Sequence, residues 1–185
     1  MEDLKDLHEM KTERINGEEV RQSAASIPHI EIQGNLYIIL RNFLKGKRCK
    51  VFAEARVIFD DKNWFQPDLI VVCDKSKIKA NHIEGAPDFV AEILSISTEG
   101  RDIGIKKDIY EKYGVKEYWL INPRAKSIQV YLWKNGKYEI DNVYHDATEE
   151  ELEGFSPEEL ERHKLTLKLS LYDDLEIRVK DIFEE

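Results

Sequence analysis

Hydrophobic positions along this chain fall into blocks of different period, and the blocks predict the elements. Three short runs are apolar almost without interruption: L-I-V-V-C from Leu69 to Cys73, F-V-A-E-I-L-S-I from Phe89 to Ile96, and E-Y-W-L-I from Glu117 to Ile121. Runs of this length, rich in β-branched residues and bounded by proline or polar clusters, predict strands buried in a core. Val51 to Phe59 alternates instead, as V-F-A-E-A-R-V-I-F. It predicts one strand that forms an antiparallel hairpin with the strand opened by Asp68. From His29 to Leu44 the apolar positions Ile32, Leu36, Ile39, Leu40 and Phe43 recur at helical spacing, with Pro28 just ahead, which predicts a helix packed on the sheet.

Turn chemistry supplies the connections. Asn16-Gly17 and Asn135-Gly136 each sit between short flanking runs, the strongest local signal for a two-residue hairpin. Ser97 or Thr98 is placed to cap a helix that Gly114 ends near Tyr113. A helix between the Glu92 and Glu117 strands implies that these two run parallel. Ser156-Pro157-Glu158-Glu159 reads as a capping box opening a short helix. Residues 1 to 12 fit a short helix, and residues 164–169 and 175–179 fit two closing strands before a charged tail. No internal repeat, glycine-rich phosphate loop or nucleophile triad is present.

Against this frame a few charged positions stand out. Asp68 opens one core strand, and Glu92 lies inside another, where a carboxylate among apolar neighbours needs a partner. Asp102, Lys106 and Tyr110 follow at intervals of four on the next helix and therefore share one face. Two converging carboxylates make an all-oxygen site suited to Mg²⁺ or Mn²⁺. A lysine nearby would orient or deprotonate a water and offset charge on a phosphate. Plainer readings stand beside these: Asp68 as a turn residue, Glu92 on a solvent-facing side, and Asp102 with Lys106 as a surface ion pair.

Composition narrows the classes. The 185 residues are 42% hydrophobic and 35% charged, a balance that fits one domain over 1–185 with a sizeable core. No apolar stretch approaches the roughly 20 residues that cross a bilayer, and the amino end is charged, so a cytoplasmic protein without membrane contact is expected. Cys49 and Cys73 lie in or beside apolar runs and read as buried free thiols in a reducing compartment. The net charge of −9 runs against nucleic-acid binding, yet eight acidic and no basic residues fall between Asp146 and Glu161. Subtracting them leaves −1 for the rest, while Arg41 to Lys50 carries five basic residues and no acidic one. A positive patch on a nearly neutral body is compatible with DNA, though such a run is also an ordinary solvated face.

The ordered series P-D-L-I-V-V-C-D, E-G-A-P-D-F-V-A-E-I-L-S-I-S-T, R-D-I-G-I-K-K-D-I-Y and G-V-K-E-Y-W-L-I-N-P resembles the Uma-type restriction endonucleases, a branch of the PD-(D/E)XK nuclease superfamily. The likeness runs from the hairpin near Ile15 to L-Y-D-D-L-E-I. It implies an α/β, restriction-endonuclease-like fold with a mixed central sheet flanked by helices, and it leaves the acidic stretch 146–163 as a helical insertion. It implies a Mg²⁺-dependent endonuclease that hydrolyses DNA, with Asp68 and Glu92 as metal carboxylates. The superfamily lysine two places after that glutamate is replaced by Leu94, and the D-x-x-x-K-x-x-x-Y spacing moves its role to Lys106, with Lys107 next in line. Supporting roles would fall to Asp102, Tyr110, His29, and Glu31 or Gln33 on the first helix. Asp88, which also follows a proline, is the decoy for the P-D motif. A homodimer would suit cleavage of both strands of a duplex. The alternative is a silent nuclease-like protein that binds nucleic acid or a protein partner without cutting.

Overall fold

The computed structural model describes residues 11–184. The short helix expected over residues 1 to 12 lies outside that range except for Lys11 and Thr12, and Thr12 opens a strand. Asn16 and Gly17 adopt positive φ (51° and 91°) and turn β1 (Thr12–Ile15) into β2 (Glu18–Arg21), the geometry a type I′ hairpin needs. Helix α1 (Ile27–Phe43) follows, capped by Ser26 with Pro28 in its first turn, and buries Ile32, Leu36 and Leu40 along one stripe.

Six strands form the main sheet. Their order is β11 (Lys137–His145), β10 (Ser127–Lys134), β9 (Glu117–Asn122), β8 (Phe89–Ile93), β6 (Leu69–Val72) and β3 (Lys50–Ala53). All neighbours are antiparallel except β8 and β9, the parallel pair that the helical crossover implied. Both faces are covered, which explains why β6 and β8 read as unbroken apolar runs. Leu69, Val71, Phe89 and Trp119 face α1 and the C-terminal elements, whereas Ile70, Val72, Val90 and Tyr118 face the other way. There they pack against a second, five-stranded sheet in the order β2, β1, β5 (Asn63–Phe65), β4 (Val57–Asp60) and β7 (Ile83–Glu84).

Three departures from expectation have physical causes. The strand predicted over 51–59 is two strands in two sheets. Glu54 takes φ = 52°, a left-handed conformation that no ladder accommodates, so β3 stays in the main sheet and β4 leaves for the smaller one. The helix predicted to end at Tyr113 has three parts: α2 (Glu99–Arg101), a wide π-helical stretch Asp102–Lys106, and α3 (Lys107–Tyr113) ended by left-handed Gly114. Gly104 breaks the helical geometry with φ = −99°, ψ = −106°. The expected charged tail contains α6 (Lys180–Phe183), whose Ile182 and Phe183 are buried, while Asn35 of α1 donates to the carbonyls of Ile182 and Glu184. Within the acidic stretch, α4 (Glu149–Leu152) and α5 (Pro157–Arg162) are helical, and Ser156 with Glu159 closes the predicted capping box. The closing strands β12 (Thr166–Lys168) and β13 (Glu176–Arg178) pair with each other as a separate antiparallel ribbon.

The two cysteines are buried as expected but are not free: Cys49 and Cys73 form a disulfide. They continue the β3·β6 ladder one step beyond the Lys50–Val72 pair, so register alone brings them together. The argument for a reducing compartment that rested on free thiols therefore falls away. Because the bond closes a loop across 24 residues, its reduction is expected to lower the unfolding free energy by about 3 kcal/mol. Urea melts with and without a dithiol reductant check this, with Cys49→Ser/Cys73→Ser as the reductant-insensitive control. An unchanged midpoint on reduction would contradict it.

Candidate active site

The strands bring Asp68 and Glu92 together by register. Leu69 pairs with Ala91 across the antiparallel β6·β8 ladder, so the next step places Asp68 opposite Glu92 with both side chains on one face. The pair is laced crosswise: Ile93 N–H donates to Asp68 Oδ2 at 2.7 Å and Asp68 N–H donates to Glu92 Oε2 at 3.3 Å. Both carboxylates are buried and border a cavity of about 250 Å³. Its wall also includes Lys11, His29, Asp102, Lys106, Ser95, Thr98 and residues 22–25.

Helix α1 delivers its first turn to this cavity. His29 Nε2 lies 3.2 Å from Asp68 Oδ1, and Gln33, one turn on, donates to the Asp68 carbonyl at 3.0 Å. Glu31 is exposed and does not line the cavity, because a helix turns the residue two places on to a different face. The expectation that Glu31 approaches the carboxylates is therefore corrected in favour of His29 and Gln33. The basic run Arg41 to Lys50 begins at the other end of α1, about 18 Å away at 1.5 Å per residue. Its Lys47 is engaged with Asp174 and the Phe43 ring.

Of the two adjacent lysines, only Lys106 enters the cavity wall. Its amine lies 2.6 Å from Glu92 Oε1, 3.2 Å from Asp102 Oδ1 and 3.2 Å from Glu13 Oε1, with the side chain 1% exposed. Lys107 points elsewhere, 4.3 Å from the centre of the Tyr131 ring. Tyr110 comes back to the same acid, its hydroxyl donating to Glu92 Oε1 at 2.7 Å. Leu94, two places after Glu92, packs in the apolar cluster with Ile109 and Tyr118. The decoy Asp88 sits at the opposite end of β6, accepting from Cys73 N–H and pairing with Lys116.

Charge is unevenly distributed over these buried groups. Glu13, Asp68, Glu92 and Asp102 face Lys11, Lys106 and His29, so the acidic groups outnumber the basic ones four to three. Burial disfavours ionisation of Asp68, but the His29 hydrogen bond and charge, with help from Lys11 and Ile93 N–H, hold its carboxyl below the ordinary aspartate value. Burial lifts Glu92; Lys106 opposes the rise, Asp102, Asp68 and Glu13 add to it, and the group is pushed up to about 8. Asp102 is raised as well, again chiefly by burial. Burial opposes the charge on Lys106, yet Glu13, Glu92 and Asp102 outweigh it and keep the amine protonated well beyond the usual lysine range.

The donor set fits one kind of cation. Among the described residues no three His, Cys, Asp or Glu side chains converge as a ready-made cage. Asp68 and Glu92 each have most of their acceptor positions taken, and one remains open on Asp68 Oδ2 and one on Glu92 Oε2. Two hard oxygens beside an excess negative charge suit Mg²⁺, which binds through one or two carboxylates and keeps several waters.

The raised value of Glu92 has a measurable consequence. The folded chain holds a proton that the unfolded chain has released between pH 4.5 and about 8. In metal-free buffer, stability from this group is fully present below pH 4.5 and is lost as pH rises through about 8. Urea midpoints measured across that window should fall for the parent and fall less in Glu92→Gln, where Glu117 and Asp102, also raised by burial, still contribute. A parent midpoint that rises over the same window would contradict the burial argument.

Glu13 escaped sequence reasoning. It is fully buried, yet no catalytic motif contains it. The available signal was parity: in β1 it shares a face with buried Ile15.

Comparison with known proteins extends the geometry. A solved structure titled a "putative nuclease belonging to DUF820" from Anabaena variabilis superposes with a TM-score of 0.70 at 23% identity, covering 93% of this chain and 89% of that one. At that identity the likeness speaks for fold, which is restriction-endonuclease-like α/β. An uncharacterized protein of Synechocystis is 28% identical over 124 residues, 65% of each chain; the match thus spans less than two thirds of that protein. No helix among the described residues is long and apolar enough to cross a membrane. The family pattern described as "Uma2: Putative restriction endonuclease" matches residues 1–170, and the chain therefore belongs to the Uma2 family.

Proposed function

We propose that the protein is a divalent-metal-dependent endonuclease that hydrolyses DNA phosphodiester bonds in the cavity bordered by Asp68 and Glu92. The observation that carries this reading is the cross-strand pair itself: two buried carboxylates fixed opposite one another, each with an open oxygen position, beside a protonated lysine. Asp68 and Glu92 would hold Mg²⁺, with Mn²⁺ as a substitute of similar ligand preference. An ion held there would supply Lewis-acid polarisation of a phosphoryl oxygen and a more acidic water.

The chain's own groups divide the remaining work. Lys106 stays charged and offsets negative charge that builds on the phosphate; an amine held protonated by three carboxylates is not the base that activates water. Tyr110 fixes the Glu92 carboxylate from one side and Asp68 N–H from the other. His29 does the same for Asp68 Oδ1, so both acids are oriented before substrate arrives. DNA enters this reading as substrate, a homodimer as one route to cutting both strands, and the cytoplasm as the compartment.

Supercoiled plasmid incubated with purified protein tests the proposal. Nicking is expected with Mg²⁺ or Mn²⁺ and not with chelator. Absence of nicking with either ion, combined with retained DNA binding, would favour the reading of a nuclease-like scaffold that binds without cutting.

A further inference from the structure

The residues flanking hairpin β1–β2, Lys11 and Gln22, line the cavity, and the hairpin's Glu13 is a fully buried carboxylate with three hydrogen-bond donors. Glu13 Oε1 accepts from Lys106 Nζ at 3.2 Å and from Gln66 N–H at 2.9 Å, while Oε2 accepts from the Gln22 amide at 2.6 Å. Those three partners belong to three segments that build the cavity. Lys106 and Gln22 lie in its wall, and Gln66 stands two residues before Asp68. Lysine carries three ammonium hydrogens on a stem of four rotatable carbons. Glu92, Asp102 and Glu13 take one direction each, so a flexible side chain is held in one place.

We propose that Glu13 is a positioning residue of the active site, fixing the Lys106 ammonium against Glu92 and the backbone that leads into Asp68. This rests on the nuclease reading for its catalytic meaning, but the contact itself does not. A carboxylate that merely neutralised a buried lysine would need one hydrogen bond. Glu13 makes three, to Lys106 and Gln22 of the cavity wall and to the backbone two residues before Asp68, and it comes from a hairpin more than 90 residues away from Lys106 in sequence. The first hairpin is on this account part of the active site and not a decoration of the fold.

The test uses full-length protein with ¹⁵N-labelled lysine, in which the buried Lys106 ammonium signal is identified as the one missing from Lys106→Met. Glu13→Gln should still melt cooperatively but shift or broaden that signal. It should lower kcat for plasmid nicking by about 100-fold, the scale of a 1 Å misplacement. KM should stay within about twofold, since the contact serves the transition state and not binding. An unchanged kcat, or a fall in kcat with the Lys106 signal unmoved, overturns the proposal. If Glu13→Gln does not fold, Glu13→Asp takes its place. It keeps the charge one methylene short and should displace the signal and reduce kcat, and an unmoved signal with full kcat again overturns the idea. Should the parent itself show no nicking, the nuclease reading fails, and the Lys106 signal alone still decides whether Glu13 holds that amine.

Discussion

Asp68→Ala is expected to abolish nicking, lowering kcat by at least about 1,000-fold. The carboxylate offers one of two open oxygens in the cavity, and alanine leaves only the open position on Glu92. Glu92→Ala should lose as much, and the double variant should be no worse than either, because two residues that hold one ion act as a unit. Stability must be followed in parallel. Asp68→Ala strands the Ile93 N–H, a buried donor whose loss of partner costs about 1–3 kcal/mol. Asp68→Asn keeps an acceptor for that N–H and should be inactive while melting close to the parent. Nicking that survives both alanine substitutions removes these residues from the chemistry.

The second large effect belongs to Lys106→Met. The substitution preserves much of the side-chain volume but leaves Glu13, Glu92 and Asp102 around an empty centre. Breaking a buried ion network from one side destabilises by about 3–5 kcal/mol, so the melting point should drop sharply at pH 8 and recover as the pH falls and the acids take up protons. Under conditions where the variant is folded, kcat should be lower by at least about 100-fold through loss of the fixed charge beside the phosphate. Lys107→Met serves as the comparison, since that amine sits over Tyr131 away from the cavity. Equal losses in the two variants would show that the helix matters only as packing.

Much of this was legible from local pattern. The run Leu69–Val72 and the run Phe89–Ile93 had to be central strands because both their faces are buried, and the crossover after Glu92 could only bring β9 in parallel. The Asn-Gly pairs placed both hairpins through backbone geometry alone. What stayed hidden depended on register and on contacts far apart in the chain. Nothing near Cys49 announces that it continues the β3·β6 ladder opposite Cys73. Glu54 looks like any outward strand residue until its left-handed backbone sends β4 into another sheet. Glu13 reads as one polar residue among several; its meaning comes from Lys106, Gln66 and Gln22, which meet it only after folding. Lys106, and not Lys107, stands at the four-residue spacing from Asp102, and that ion pair forms even though the helix widens between them.

Calorimetric titration of Mn²⁺ or Mg²⁺ into the chain, parent against Asp68→Asn, addresses the central claim without relying on any substrate. The account predicts saturable binding in the parent that disappears in the variant, with both proteins folded at the temperature of the titration. Identical binding curves for the two would mean that the opposed carboxylates of β6 and β8 do not hold the ion.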